Sequence, residues 1–331
     1  MKRTLRQTVA LWVVLCLVAP VALAADKKKD PKKDPDKIGE RNVGGGLNLY
    51  SLEAEVRLGK QLAQMVEQSA KLMDDPVITE YVDRVAQNLV RNSDARVPFT
   101  VKVIDSEQIN AFALPGGFFY INSGLVLAAT EEAELAGVMA HEIAHVTGRH
   151  GTKNATKAQI VNWAMIPAII FLPGGWAGYG IYQGLSFGLP LAFLKFSRNN
   201  EREADFLGLQ YMYKAGYDPT SFITFFEKIL EKERKRPGSI PKIFSSHPPT
   251  KERVKQAQEE IAELLPARPE YVVTSSEFDQ VKERLALLMI GRKPEEAEKK
   301  PTLRKRTEQE KKKDKDKEEK EEKPPVLKRR P

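Results

Sequence analysis

The sequence predicts an α+β domain, mainly helical with a small sheet, and the prediction rests on three observations. Apolar residues recur at helical spacing through several long stretches. Between Phe99 and Ile121 the pattern changes to short runs of strand-forming residues broken by Pro115-Gly116. The pentapeptide His141-Glu142-Ile143-Ala144-His145 lies in an apolar, Ala-rich stretch that reads as a buried helix. No internal repeat is evident, and the mixture of long helices and a few short strands suggests this class.

The termini come first. Residues 1–24 read as a secretory signal: Lys2, Arg3 and Arg6 form the basic region, Val9 to Ala19 the apolar one, and Ala22-Leu23-Ala24 a small-x-small cleavage box. The apolar run is too short for a stable bilayer span, which favours cleavage over an uncleaved anchor. Cys16, the single cysteine, lies within it. The mature chain would then form no disulfide, and a metal site would use nitrogen and oxygen ligands. Such an exported chain fits the bacterial periplasm, with membrane association left open. Residues 25–46, a Lys/Asp/Pro run ending in Gly44-Gly45-Gly46, read as a disordered tether. Residues 292–331, rich in Lys, Glu, Arg and Pro, read as a disordered charged tail. The net charge of +8 over 331 residues is largely a property of these tails. Basic tails attract anionic lipid or nucleic acid; solvated tails are the expectation here, and export argues against nucleic acid. Residues 47–265 suffice for one substantial domain, with a strand–helix extension at 266–291.

Within the domain, Leu52, Val56, Leu62, Met65, Val66 and Leu72 are spaced as on an amphipathic helix. A second helix starts at Pro76, a favourable first-turn residue, and continues through Val82, Val85 and Leu89. Phe99 to Ile104 alternates as a strand, and Asn110–Leu114 and Gly117–Ile121 read as two more. The last is either an ordinary sheet strand or an exposed edge that a polypeptide could extend. The next helix runs from an N-cap at Thr130 to Gly148, with Glu131, Glu132 and Glu134 at the positive end of its dipole. Residues 158–194 carry no charged side chain; Ile160–Leu172 and Gly180–Leu194, parted by Pro173-Gly174-Gly175-Trp176, are its two apolar halves. Each half is shorter than the ~20 residues of a membrane-spanning helix. Two core helices or a buried hairpin are expected, and a hairpin covering the site or touching a membrane surface is the alternative. Helices at 199–215, 219–235 and 250–264 follow, then a strand at Glu270–Thr274 and a helix capped by Ser276 that ends near Ile290.

The chemistry lies in the pentapeptide. Residues four apart on a helix share a face, so His141 and His145 can reach a single metal ion, and Glu142 then stands beside a metal-bound water. Two of the four histidines of the chain are here. The pattern signals a zinc hydrolase with one ion per chain. A catalytic zinc usually takes a third protein ligand. His150 falls one residue short of the third position of H-E-x-x-H-x-x-G-x-x-H, which Gly151 occupies. It therefore reads as a polar residue near a helix C-terminus. Glu201 and Asp205 are the better candidates, because they share a face four residues apart. One carboxylate can bind zinc while the other accepts the free N–H of a ligating imidazole. Glu203 then points elsewhere. In isolation this charged segment would read as a solvated helix start.

With NAFALPGGFFYINSGL at 110–125, HEIAH at 141–145, EREAD at 201–205 and SSHPPTKER at 245–253, the sequence resembles metallopeptidase family 48. This group holds HtpX-type and Oma-type zinc endopeptidases, and the resemblance is to its soluble periplasmic branch. It covers about residues 46–265. Beyond it, 265–331 offers one strand, one helix and a charged tail, with no tetratricopeptide array of the kind some periplasmic members carry. The resemblance implies a gluzincin-type domain with Zn2+ held by His141, His145 and Glu201, Glu142 as general base and Asp205 as the acceptor behind a ligating imidazole. It also implies that Gly117, Phe118, Phe119, Tyr120 and Ile121 border the cleft and pair with an extended polypeptide. His247, by itself a surface-loop histidine, matches one that the family places near the metal. It would stabilise the oxyanion or fill the fourth zinc position in a resting enzyme. Arg253 would support His247 or pair with a carboxylate. The expected function is protein quality control: cleavage of unfolded or misassembled envelope polypeptides, with membrane-surface contact through 158–194. The competing reading is an envelope chaperone or assembly factor whose peptidase site is usually shut.

Overall fold

The computed structural model describes residues 30–171, 196–235 and 247–290. The signal segment with Cys16, the tail at 292–331 and residues 172–194 of the charge-free stretch lie outside them. The chain divides into Met1–Ala286 and Leu287–Pro331. Of the second unit, only the last turn of the final helix is described.

The helices are α1 (Leu52–Ser69), α2 (Pro76–Arg91), α3 (Ser123–Ala128), α4 (Glu132–Thr147), α5 (His150–Phe171), α6 (Arg198–Ala215), α7 (Thr220–Lys235), α8 (Lys251–Leu264) and α9 (Ser276–Ile290). The strands are β1 (Thr100–Ile104), β2 (Ala111–Leu114) and β3 (Phe118–Asn122). This is the mainly helical α+β fold with a small sheet that the sequence predicts. No described helix is long and apolar enough to cross a membrane.

Helix α4 is the centre of the domain. Every residue in it except Val146 is buried, as expected of a helix apolar on all sides. Its small residues admit close neighbours: α6 lies along it most extensively, and α2, α7 and β2 also pack against it. The core around it joins Leu135 and Met139 to Ile78, Val82, Val85 and Leu89 of α2, Leu207 and Tyr211 of α6, and Phe225 of α7.

The sheet has the order β1-β3-β2, with β1 parallel and β2 antiparallel to β3. Phe119 and Ile121 face the main core, while Tyr120 and Leu114 join Leu62 and Ala63 of α1 in a second cluster. The alternation of strand side chains thus seats the sheet between α1 and α4. Gly116 (φ +78°) and Gly117 (φ +89°) make the β2–β3 turn in left-handed conformations that side-chain-bearing residues avoid. The register Phe112↔Tyr120 and Leu114↔Phe118 makes β3 the central strand. The expectation that Gly117–Ile121 forms an edge is therefore wrong. Among the described residues the edges are β1 and β2.

Four further expectations change. The stretch read as a disordered tether is packed from Asp30 onward. Two short 3-10 turns, Pro31–Lys33 and Pro35–Lys37, lead to Arg41, whose Nη2 lies 2.7 Å from Oδ2 of Asp94. Both side chains are only 1% exposed. Arg41 also donates to Oε1 of Gln210 at 2.5 Å, and Val43 enters the core. A single buried ion pair with apolar backing outweighs a polar composition here. Glu131 rather than Thr130 occupies the N-cap of α4; the Thr130 backbone N–H and hydroxyl instead donate to Oε2 of Glu134, at 2.7 and 3.0 Å. The strand expected at Glu270–Thr274 reduces to one parallel bridge, Tyr217↔Val272, and Ser275 rather than Ser276 caps α9, accepting from the Phe278 N–H at 3.1 Å.

Candidate metal centre

Two helices and one loop build the site. Helix α4 supplies His141, Glu142 and His145. Helix α6 starts with a capping box in which Ser197 and Asn200 satisfy each other's backbone, and this seats Glu201 in the first turn. Thr250 caps α8 by accepting from the Arg253 N–H at 3.2 Å, so Pro248-Pro249 and the cap together hold His247 at the helix entrance. His141, Glu142, His145, Glu201 and His247 are all buried, whereas the capping residues Ser197 and Thr250 are exposed.

His141, His145, Glu201 and His247 turn one donor atom each toward a common point, all within 4.8 Å of one another. Nε2 of His141 lies 3.1 Å from Nε2 of His145 and 3.5 Å from Oε2 of Glu201. Nε2 of His145 lies 3.5 Å from Oε1 of Glu201. Nδ1 of His247 is 2.8 Å from Oε1 of Glu201 and 3.4 Å from Nε2 of His141, while its Nε2 is 3.5 Å from Oε1 of Glu142.

Behind this group stand the supporting residues. Oδ1 of Asp205 is 2.9 Å from Nδ1 of His141, close enough to bond although out of line for a straight hydrogen bond. Arg253 grips Asp205 through Nε and Nη2, both at 2.7 Å, and reaches Oε2 of Glu201 at 3.1 Å. Its Nη1 donates to the carbonyls of His247 and Pro248 at 3.2 and 3.0 Å. One guanidinium therefore ties the His247 loop to α6. Aromatic rings close the sides: Phe196 stacks on His145 at 3.9 Å between centroids and Phe222 on His141 at 6.0 Å.

The electrostatics follow from burial and pairing. Burial works against a charged His141, but Asp205 and Glu201 overcome it and raise its pKa to about 9. Burial and the neighbouring His141 and His247 hold His145 well below the ordinary imidazole value. Burial would raise Glu201, yet hydrogen bonds from His141 and His247 bring it below the usual carboxylate range. Glu142 moves the other way: burial lifts it, while His247, His141 and the Ala113 backbone N–H pull back only in part. Two carboxylates of one site, on different helices, are thus held in opposite directions, a recurrent feature of acid–base sites.

All the side chains that the sequence singles out for metal and proton chemistry converge here. The Gly117–Ile121 strand does not fulfil its expected role; β2 is the strand that packs on α4, and Ala113, Leu114 and Pro115 line a small cleft with His145 and Phe196. His150 is not the polar residue near a helix C-terminus that its spacing suggests. It opens α5 rather than trailing α4, is buried, and places its Nδ1 2.9 Å from Nδ1 of His145. Glu203 does point away from Glu201, but toward His150. Burial would raise the Glu203 carboxyl, and His150 together with Lys32 brings it down to about 2. Phe196 and Phe222 carry no sequence signal that separates them from ordinary core residues.

The chain matches peptidase family M48 over residues 75–261. It is 31% identical over 257 residues to the beta-barrel assembly-enhancing protease of Escherichia coli strain K12, a match covering 75% of this chain and 51% of that protein. The protein of the same name from Yersinia pestis is 29% identical over 258 residues, covering 76% and 52%. The mitochondrial metalloendopeptidase OMA1 of Schizosaccharomyces pombe is 32% identical over 189 residues, covering 56% and 53%. The chain spans about half the length of the curated relatives it matches. With the family match running from α2 through most of α8, and so across the whole His/Glu cluster, the chain belongs to peptidase family M48.

Proposed function

We propose that the chain is a zinc endopeptidase acting on unfolded or misassembled envelope polypeptides. The observation that carries this reading is the convergence of His141, His145 and Glu201 on one buried point, with Glu142 at its side. Two imidazoles and a carboxylate are a donor set of catalytic zinc. Tetrahedral ligands of zinc stand about 3.4 Å apart, and the separations here are 3.1, 3.5 and 3.5 Å. Oε1 of Glu142 is buried with no hydrogen-bond partner, a state that native interiors rarely leave uncompensated; Oε2 of Glu201 is met by the Arg253 guanidinium at 3.1 Å.

Zinc held by His141, His145 and Glu201 would supply Lewis-acid chemistry, acidifying a bound water and polarising the scissile carbonyl. Glu142, lifted by burial, takes the proton of the attacking water and passes it to the leaving amine. His247 faces Glu142 across the site and donates to the developing oxyanion. Asp205, 2.9 Å from Nδ1 of His141 and anchored by Arg253, orients that ring. Phe196 and Phe222 exclude water from the flanks. An extended polypeptide pairs with the outer edge of β2, against which no described strand lies, rather than with β3. Such backbone pairing selects unfolded chain more than sequence. The names of the bacterial relatives point to β-barrel proteins as one substrate class, and the signal-like residues 1–24 support export to the periplasm.

The test is casein cleavage and zinc content of the mature protein and its Glu142→Gln variant. Equal zinc with activity lost in the variant supports the reading; equal cleavage by both refutes it. A second reading has its own observation. Nδ1 of His247 lies 2.8 Å from Oε1 of Glu201, inside the ligand group. As a fourth ligand His247 would shut the site and favour the chaperone or assembly-factor role. His247→Ala separates the two, raising activity if the residue is a plug and lowering it if it stabilises the oxyanion.

A further inference from the structure

His150 and Glu203 have no part in the chemistry above, yet both are built against it. Nδ1 of His150 lies 2.9 Å from Nδ1 of His145, and its Nε2 lies 3.2 Å from Oε2 of Glu203. Oε1 of Glu203 receives Nζ of Lys32 at 3.1 Å. The His150 side chain is 0% exposed.

The metal-centre reading, on which this inference rests, fixes every proton in the chain. His145 turns Nε2 toward His141 and Glu201, so Nε2 is the ligating atom and the ring hydrogen sits on Nδ1. That N–H has Nδ1 of His150 as its acceptor. The His150 hydrogen must then be on Nε2, where it donates to Glu203. Each link has one donor and one acceptor, with no unmatched atom.

The backbone is shaped for the same contact. Arg149, between α4 and α5, has φ +56°, a left-handed conformation unfavourable for a residue with a side chain. Glu55 and the Tyr50 carbonyl hold its guanidinium at 2.8 and 2.5 Å. The turn folds His150 back over the end of α4, where a Cβ on Gly148 would fall 2.5 Å from Nε2 of His150. Glycine at 148 leaves the room that the ring occupies.

We propose that His150, with Glu203 behind it, is the positioning partner of His145: it fixes the tautomer and orientation of that ligand as Asp205 does for His141. The test uses the full chain and two readouts, zinc affinity by competition with a chromophoric chelator and the visible spectrum of the cobalt-substituted protein. His150→Leu is expected to weaken zinc binding by about 10–100-fold and to shift the cobalt bands. Gly148→Ala, which displaces the ring, is expected to do the same. In His150→Gln the amide oxygen can accept from His145 and the amide N–H can donate to Glu203, so affinity and spectrum stay near wild type. Glu203→Leu, at a partly exposed position, gives a smaller loss in the same direction and serves should the His150→Leu protein not fold. Wild-type affinity and unshifted bands in His150→Leu, or unchanged affinity in Glu203→Leu where that variant stands in, would assign His150 to packing alone. A wild-type protein that binds no zinc would instead sink the metal-centre reading itself.

Discussion

The packed N-terminal strap makes the most exposed prediction, because composition alone argues that it is disordered. The perturbation is Arg41→Met, which keeps the apolar stem and removes the cation. Arg41 and Asp94 are each 1% exposed, joined at 2.7 Å through Nη2 and at 3.2 Å through Nε. Removing one partner of a buried pair costs about 3–5 kcal/mol, mostly because the other charge stays buried. Asp94 would retain the Gly39 N–H and the Tyr211 hydroxyl, both at 2.9 Å, so the lower end, about 3 kcal/mol, is expected. In a domain of this size that lowers Tm by roughly 6–12 °C. Arg41→Met combined with Asp94→Asn should lose less than the sum of the single changes, since neither charge is then stranded, with a coupling of about 1–3 kcal/mol. The assay is urea unfolding in the presence of a chelator, with trypsin sensitivity at Lys32, Lys33 and Lys37 as a local probe. A loss below about 1 kcal/mol, together with rapid cleavage at those lysines in the wild type, would refute the packed strap.

Three further outcomes follow from the same geometry. Arg253→Met should destabilise the metal-free protein by about 3–5 kcal/mol, since it strands Asp205, and calorimetry with and without zinc should show the larger loss in the loaded form as the His247 loop comes free. Gly208→Ala would place a Cβ 3.2 Å from the His141 backbone N and 3.3 Å from the Ala140 C; backbone cannot yield as a side chain can, so overpacking of about 1–3 kcal/mol is expected in urea melts, with weaker zinc binding. Burial, and then the Asp205 charge, raise Glu260 to about 7; its folded pKa exceeds its unfolded one, so its contribution is present below about pH 4.5 and lost as pH rises through about 7. Glu260→Gln should therefore raise Tm at pH 8 and leave it unchanged near pH 4.5.

How far the sequence alone reaches is decided by whether a signal is local. The Val82, Val85 and Leu89 face of α2 and the all-round burial of α4 are local periodicities, and both are legible. So is the pairing of Glu201 with Asp205, because four residues is one helix turn. The strand order is different. Phe118-Phe119-Tyr120-Ile121 is a continuous apolar run, which fits a strand buried on both faces and hence a central one. Ala111-Phe112-Ala113-Leu114, with Phe112 half-buried, carries the weaker apolar signal of an edge. The run itself held the correction, and the family resemblance pointed the other way. The strap is illegible for another reason: Arg41 meets Asp94 and Gln210, which are 53 and 169 residues away. Nothing near Arg41 in sequence announces a buried acid. For His150 the spacing rule tests only whether a histidine can ligate, and a supporting histidine fails that test by design. The Arg149 turn that delivers it lacks the Gly, Asn or Asp usual at a left-handed position.

The acids of α6 explain why both imidazoles can be backed from one helix. Glu201 and Asp205 share the face toward α4, whereas Glu203 lies about 200° round from Glu201 and by helix geometry alone would serve nothing here. It serves because the left-handed Arg149 turn brings His150 round the flank of His145 and into its reach. Each arm then ends on a cation from a different part of the chain: His141 on Asp205 and Arg253 of α8, His145 on His150, Glu203 and Lys32 of the strap. The two arms share no residue beyond the ligands. A change in α8 therefore reaches the centre through His141, the His247 loop and the direct Arg253–Glu201 contact, while a change in the strap reaches it through His145. The segment that composition assigns to a tether is, on this geometry, one of the two outer clamps of the metal site.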